Sequence, residues 1–232
     1  MQTENKYSLG QVILIDKPLD WTSFDVVNKM RFAIGKGPSG KRIKVGHAGT
    51  LDPLATGLVI VCTGKLTKSI DSFMSCDKEY VAELCLGATT PSFDAELPVD
   101  AEFDVAHIDQ ALIDEVLESF RGESWQVPPV FSAVSVDGKR AYKSARKGEH
   151  VEIPPRQIQI SEIEQLSFSN YRLRLRIRCS KGTYIRALAR DIGLKLGSGA
   201  YLTALRRTFI GEYSVEDALS IEEFVAQVSL NE

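Results

Sequence analysis

The chain has 232 residues, 44% of them hydrophobic and 25% charged, which bounds it to one large or two small globular domains. No apolar run approaches the ~20 residues a bilayer span needs. No basic stretch followed by an apolar one marks a secretory leader, so the expected address is cytoplasmic, with no membrane partner. The net charge of -3 argues at first against a nucleic-acid partner. Its distribution reverses that: residues 91–120 hold nine acids and residues 211–232 hold six, with no Lys or Arg in either. Taking those fifteen from the 31 acids leaves 16 against 28 basic residues, so the rest of the chain can present a basic surface. Interleaved charges on a solvated surface fit the same counts. The four cysteines form no C-x-x-C pair and read as reduced core residues. His47, His107 and His150 lack metal-ligand spacing, so no metal is expected.

Residues 1–10 are polar, and Gln11 to Ile15 reads as a strand. Asp16-Lys17-Pro18-Leu19-Asp20-Trp21-Thr22-Ser23 is a turn running into a helix capped by Thr22 or Ser23. Val26, Val27, Met30 and Ile34 mark that helix's buried face. Residues 35–44 are basic and Gly-rich and match most of a P-loop. That reading fails because Arg42 stands where a Mg²⁺-binding hydroxyl belongs and the loop follows a helix, not a strand. Lys41, Arg42 and Lys44 are candidates for phosphate contacts; a solvated charged loop fits them too. Next comes Val45-Gly46-His47-Ala48-Gly49-Thr50-Leu51-Asp52-Pro53-Leu54-Ala55-Thr56-Gly57, delivering into an apolar strand at 58–62. A Gly-rich loop at a strand end lets backbone approach a ligand closely, and Pro53 biases Asp52 toward an extended conformation. A plain Asp-Pro turn explains the same residues.

Leu66, Ile70, Phe73 and Met74 suggest a short helix, and residues 77–87 a strand with Tyr80, Ala82, Leu84 and Leu86 on one face. Residues 88–105 read as a long acidic loop, and 106–121 as an acidic helix with Ile108, Leu112, Val116 and Phe120 inward. Asp137-Gly138 reads as a tight turn, and Lys139, Arg140, Lys143, Arg146 and Lys147 as one basic helix. Two strands fill 157–179 around a turn near Ser169-Asn170. The second puts Tyr171, Leu173, Leu175, Ile177 and Cys179 on one face and Arg172, Arg174, Arg176 and Arg178 on the other, read as a solubilising face. A helix opens near Tyr184 and runs to about Leu196, and an acidic amphipathic stretch with Val215, Leu219, Phe224 and Val228 closes the chain.

The run GHAGTLDPLATGLVIVCTGKLTK resembles the catalytic motif of the TruB family of tRNA pseudouridine synthases. The Asp-Lys-Pro-x-x-Trp-Thr-Ser turn resembles that family's N-terminal motif, with Asp20 where Gly is usual. Further stretches match in order, among them Gln-Val-Pro-Pro-Val-Phe-Ser-Ala, which resembles a strand of that family and implies one over Gln126 to Ala133, Cys-Ser-Lys-Gly-Thr-Tyr-Ile-Arg and Leu-x-x-Leu-Arg-Arg. Phe131 replaces a Tyr, Ser135 a Lys and Tyr201 a His. The resemblance implies an α+β fold, a largely antiparallel central sheet with flanking helices, as in pseudouridine synthases. No internal repeat, low-complexity tract or linker interrupts the chain, which favours one catalytic domain over residues 1–232, with 211–232 an acidic extension too short for the RNA-binding PUA domain of many relatives; no coiled-coil pattern points beyond a monomer, and the oligomeric state stays open.

It also implies roles. Asp52 is the catalytic carboxylate and Arg186 its partner. Tyr80 stacks on the uracil and is a candidate for removing the C5 proton. Tyr184 and Leu205 bound the pocket, His47 stacks where the base leaves, and Lys17 packs beside the catalytic loop. Arg140 and Lys143 join the candidate phosphate contacts. The reaction breaks the N1–C1′ bond of a uridine, turns the uracil and joins C5 to C1′, at position 55 in the tRNA T arm. It is redox-neutral, so no cofactor is expected. Asp52 either attacks the sugar or removes a C2′ proton, and the residues leave both open. A non-catalytic tRNA-binding module using the same basic surface is the alternative. Asp52 separates the two, because a binder has no use for a carboxylate near phosphates.

Overall fold

The computed structural model describes residues 5–37, 40–132, 134–136, 139–141 and 152–230. Contacts divide the chain into two compact units, residues 1–80 with 206–232 and residues 81–205. In chain order the elements begin with α1 (Lys6–Leu9), β1 (Val12–Lys17), α2 (Ser23–Ile34), β2 (Val45–His47) and β3 (Ala55–Thr63). A 3₁₀ turn (Gly64–Ser69), α3 (Ile70–Ser75), β4 (Lys78–Leu86), β5 (Ala88–Thr89), β6 (Ala101–Glu102), α4 (Gln110–Glu118) and β7 (Gly122–Gln126) follow. Then come β8 (Ser135–Val136), β9 (Lys139–Arg140), β10 (Arg156–Ser169), β11 (Arg172–Cys179), α5 (Ile185–Lys195), β12 (Ala200–Ile210), β13 (Tyr213–Ser214) and α6 (Ile221–Ser229). The fold is α+β on a largely antiparallel sheet. Its strands run β1-β3-β12-β4 in the first unit and β12-β4-β11-β10-β7 in the second, β4 and β12 each being divided between the units.

In the first unit the sequence signals carry through. Thr22 caps α2 in a reciprocal box with Asp25, worth about 1 kcal/mol. Val26, Val27, Met30 and Ile34 are buried, as their spacing requires. Strand β3 is buried along almost its whole length, and Leu58, Ile60 and Cys62 form a cluster with Ala48, Ile210 and Val215. The acidic C-terminal stretch folds into α6, capped by Ser220, and buries Ile221, Phe224 and Val228. Phe224 meets Tyr7 edge to face with ring centroids 6.1 Å apart. Gly57, at φ 107°, lies so close to the backbone of Arg207 that a Cβ there would sit 2.3 Å from its carbonyl oxygen. That glycine lets β3 and β12 close on each other beneath the Asp52 loop.

In the second unit several expectations are corrected. The 88–105 loop contains the β5–β6 pair and an isolated bridge from Asp94 to Leu202. Helix α4 starts only after its Asp109 cap, and its buried side chains are Ile113, Val116 and Leu117. Leu112 and Phe120 are half-buried, so the face is rotated from the one expected. The strand at 126–133 ends at Gln126, since Pro128 and Pro129 have no N–H to donate to a ladder. The basic helix expected from Lys139 begins instead as β9, paired antiparallel with β8. Residues 142–147, with Lys143, lie outside the described residues, as does the Asp137-Gly138 turn. Tyr171 leaves its strand face: Asn170 and Tyr171 have φ 48° and 58° in the turn joining β10 and β11. Along β11 the alternation holds, with Leu173, Leu175, Ile177 and Cys179 buried and the four arginines exposed.

Candidate active site

The loop after β2 has its backbone held residue by residue. Arg207 Nη2 donates to Gly49 O at 3.3 Å and Nη1 to Thr50 O at 3.5 Å, while Nε donates to Leu58 O at 2.7 Å. Ser23, the first residue of α2, accepts from Leu51 N–H at 2.8 Å and donates to Leu51 O at 3.3 Å. Asp52 O accepts from Ala55 N–H at 3.1 Å, and Pro53 O from Asp20 N–H at 2.9 Å. Lys17 Nζ reaches Pro53 O at 3.3 Å, and also Trp21 O at 2.6 Å and Pro18 O at 2.9 Å. Five consecutive carbonyls, Gly49 to Pro53, are therefore engaged, and the half-buried Asp52 sits inside that run. Asp20 has φ 64°, a left-handed conformation that favours Gly but that Asp tolerates. That accounts for Asp at a position where Gly is usual.

Two buried cations flank the loop. Lys17 is fully buried and Arg207 is 1% exposed. Burial pushes the Lys17 ammonium down to about 8, against the pull of the Asp52 and Asp20 carboxylates. A solvated turn residue does not describe Lys17. The His47 imidazole is held below its usual range by burial first and by the Arg207 guanidinium second. Its ring is neutral at pH 7, and Nδ1 meets no hydrogen-bond partner among the described residues. Tyr80 is buried on β4 in the same unit.

Tyr184, Arg186 and Leu205 belong to the second unit. Tyr184 is the N-cap of α5, and both backbone groups are pinned by the buried amide of Gln126. Oε1 accepts from Tyr184 N–H at 2.8 Å, and Nε2 donates to Tyr184 O at 3.2 Å. The Arg156 guanidinium lies 5.4 Å from the Tyr184 ring centroid. Arg186 is 6% exposed and donates to Ser92 O at 3.3 Å and Phe131 O at 2.9 Å, with Asp94 at 3.5 Å from Nε. Leu205 is half-buried on β12. Among the phosphate candidates, Lys41, Arg42 and Lys44 are exposed. Arg140 lies on β9, with its side chain outside the description.

Sequence reasoning missed the holding roles of Arg207, Ser23 and Gln126. Only Arg207 carried a signal: a charged residue within a strand that otherwise ends on the apolar Ile210 of the core. Ser23 entered as a capping candidate, and its bond to Leu51 spans 28 residues.

The family profile described as TruB family pseudouridylate synthase (N terminal domain) matches residues 38–185. The tRNA pseudouridylate synthase B C-terminal domain matches residues 186–232. A tRNA pseudouridine synthase B of Phocaeicola vulgatus is 57% identical over 215 residues, 93% of this chain and 92% of the relative. That of Flavobacterium johnsoniae is 49% identical over 223 residues, 96% and 97% of the two chains. Among solved structures, a chain of a Cbf5-Nop10-Gar1 complex is similar with TM-score 0.70 and 30% identity. The match covers 95% of this chain and 54% of that one, so this chain spans about half of its length.

Proposed function

The chain belongs to the TruB family of pseudouridine synthases, and on that premise we propose that it isomerises uridine 55 in the T arm of tRNA. Asp52 supplies the carboxylate at the sugar, by attack at C1′ or removal of a C2′ proton. The N1–C1′ bond breaks, the uracil turns and C5 bonds to C1′; in the first course the Asp52–C1′ ester breaks as C5 attacks, in the second Asp52 returns the proton to C2′. The C5 proton then leaves and N1 takes one up. Atoms and charge balance with no other reactant. The single observation that supports this reading best is the run of held carbonyls from Gly49 to Pro53. A reacting carboxylate gains most from fixed geometry, and a loop so engaged supplies it without moving at the moment of reaction.

The other residues take supporting roles. Extruding the base from folded RNA costs a few kcal/mol, and the neutral His47 ring stacks where it leaves. Tyr80 and Tyr184 bound the uracil with Leu205, and the Tyr80 oxygen is the candidate to relay the C5 proton, giving up its own phenol proton, the one N1 takes up. Arg186 steadies Asp52. Lys17 holds the loop rather than touching substrate. Lys41, Arg42, Lys44, Arg140 and Lys143 meet phosphates.

The test is release of the C5 hydrogen. A tRNA transcript carrying 5-tritiated uridine is incubated with wild type and Asp52→Asn. Tritium released by wild type alone supports both reaction and residue. No release from either, with tRNA still bound, turns the reading to a non-catalytic RNA-binding module.

A further inference from the structure

From Val26 to Leu51 the chain has six Lys or Arg and no acid. At the outer end of α2 this charge surrounds an aromatic ring. Phe32 is 84% exposed. It lines an open groove of about 370 Å³ with Asn28, Arg31, Gly35, Lys36 and Arg42. Arg31 and Arg42 also line a second cleft, of about 430 Å³, that reaches Lys44, Val45 and Gly46. The two clefts thus follow one course toward β2, the strand that ends in His47. Arg31 is fixed in place, donating to Asn28 Oδ1 at 3.0 Å and Val45 O at 3.1 Å.

A single exposed apolar residue needs no explanation by itself. A ring set among three cations and an amide, with no acid in the surrounding sequence, is a different case. Aromatic faces accept any base by stacking, and neighbouring cations follow the backbone. A membrane surface would ask for an apolar stripe, whereas Asn28 and Lys29 share the exposed side of α2 with Phe32.

We propose that this groove is a second contact site for the RNA substrate, outside the catalytic loop, in which Phe32 stacks on one unpaired base while Arg31, Lys36 and Arg42 hold the flanking phosphates. It rests on the RNA reading above and adds a base contact to a region assigned only phosphates there. Phe24 supplies an internal control. It is 60% exposed on the same helix, about 12 Å away by helical rise, and beside Asp25 rather than among cations.

Dissociation constants for unmodified tRNA are measured at one salt concentration for wild type, Phe32→Ala, Phe32→Leu, Phe32→Tyr and Phe24→Ala. Melting temperatures confirm that each variant folds. Phe32→Ala and Phe32→Leu should bind about tenfold more weakly, and Phe32→Tyr within about twofold of wild type. Phe24→Ala should bind as wild type does. Arg42→Ala should flatten the dependence of log K on log salt by about one phosphate contact. Wild-type affinity in Phe32→Ala overturns the proposal, and so does an equal loss in Phe24→Ala or retention in Phe32→Leu. Tritium release by wild type is followed in the same preparations. Its absence strikes the catalytic reading, whereas release together with an insensitive Phe32→Ala strikes only this site.

Discussion

Strand β11 and the end of strand β12 are both rich in arginine, and they use it in opposite ways. On β11, Arg176 and Arg178 stand exposed and pair with Glu164 and Glu162 across the β10–β11 hairpin, and Arg172 pairs with Glu83. Such pairs are worth 0 to about 1 kcal/mol and leave little net charge for a partner. On β12, Arg207 is buried and its guanidinium donates to backbone carbonyls of the Asp52 loop and β3. Arg206, one residue earlier, forms a bidentate pair with Asp16 at 2.7 and 3.0 Å. Arginine count therefore says little about RNA binding. What each guanidinium faces decides whether it solubilises, fastens a loop or remains available to a ligand.

The sharpest way to break this contrast is Arg207→Met. It removes the donor from Leu58 O in the interior and from the carbonyls of half-buried Gly49 and exposed Thr50, and we expect a loss of about 2–3 kcal/mol in urea unfolding, with pseudouridine formation falling as the loop loosens. An Arg207→Met protein of wild-type stability would refute the fastening role. Lys17→Met should cost less, about 1–2 kcal/mol, because Pro53 O keeps the Asp20 N–H and an unfavourably buried charge is removed. Next is a pH effect at His47. Its folded value lies below the ordinary 6.5, so the unfolded chain takes up the proton first, and stability from this group drains away as pH falls through 6.5. The melting temperature of His47→Gln should accordingly fall less than that of wild type between pH 7 and pH 5. Smallest is Arg176→Ala, expected within about 0.5 kcal/mol of wild type in the same urea titration. A loss as large as that of Arg207→Met would erase the distinction between the strands.

Local signals made much of the fold legible. The Thr22 cap, the buried face of α2, the apolar β3 and the alternating β11 all follow from spacing of neighbours. Errors fell where a local signal had a competitor. Asp109 caps α4 and thereby sets which side chains face inward, and two adjacent prolines stop β7. Tyr171 lies beside a turn whose left-handed backbone overrides strand alternation. The residues around Asp52 were recognisable as a motif, but the reason the loop holds its shape was not. Arg207 reaches Leu58, Gly49 and Thr50 across 149 to 158 residues, and its acceptors are carbonyls, which every residue carries. No periodicity records such a contact. Phe32 was passed over for the opposite reason, since an exposed phenylalanine on a helix has meaning only once the groove beside it is seen.

The most direct measurement is position-by-position mapping of pseudouridine in an unmodified tRNA transcript treated with purified protein. The account predicts a single new pseudouridine, in the T loop at position 55, made by wild type and absent with Asp52→Asn. Product at that position with Asp52→Asn, or no product with wild type, would contradict it.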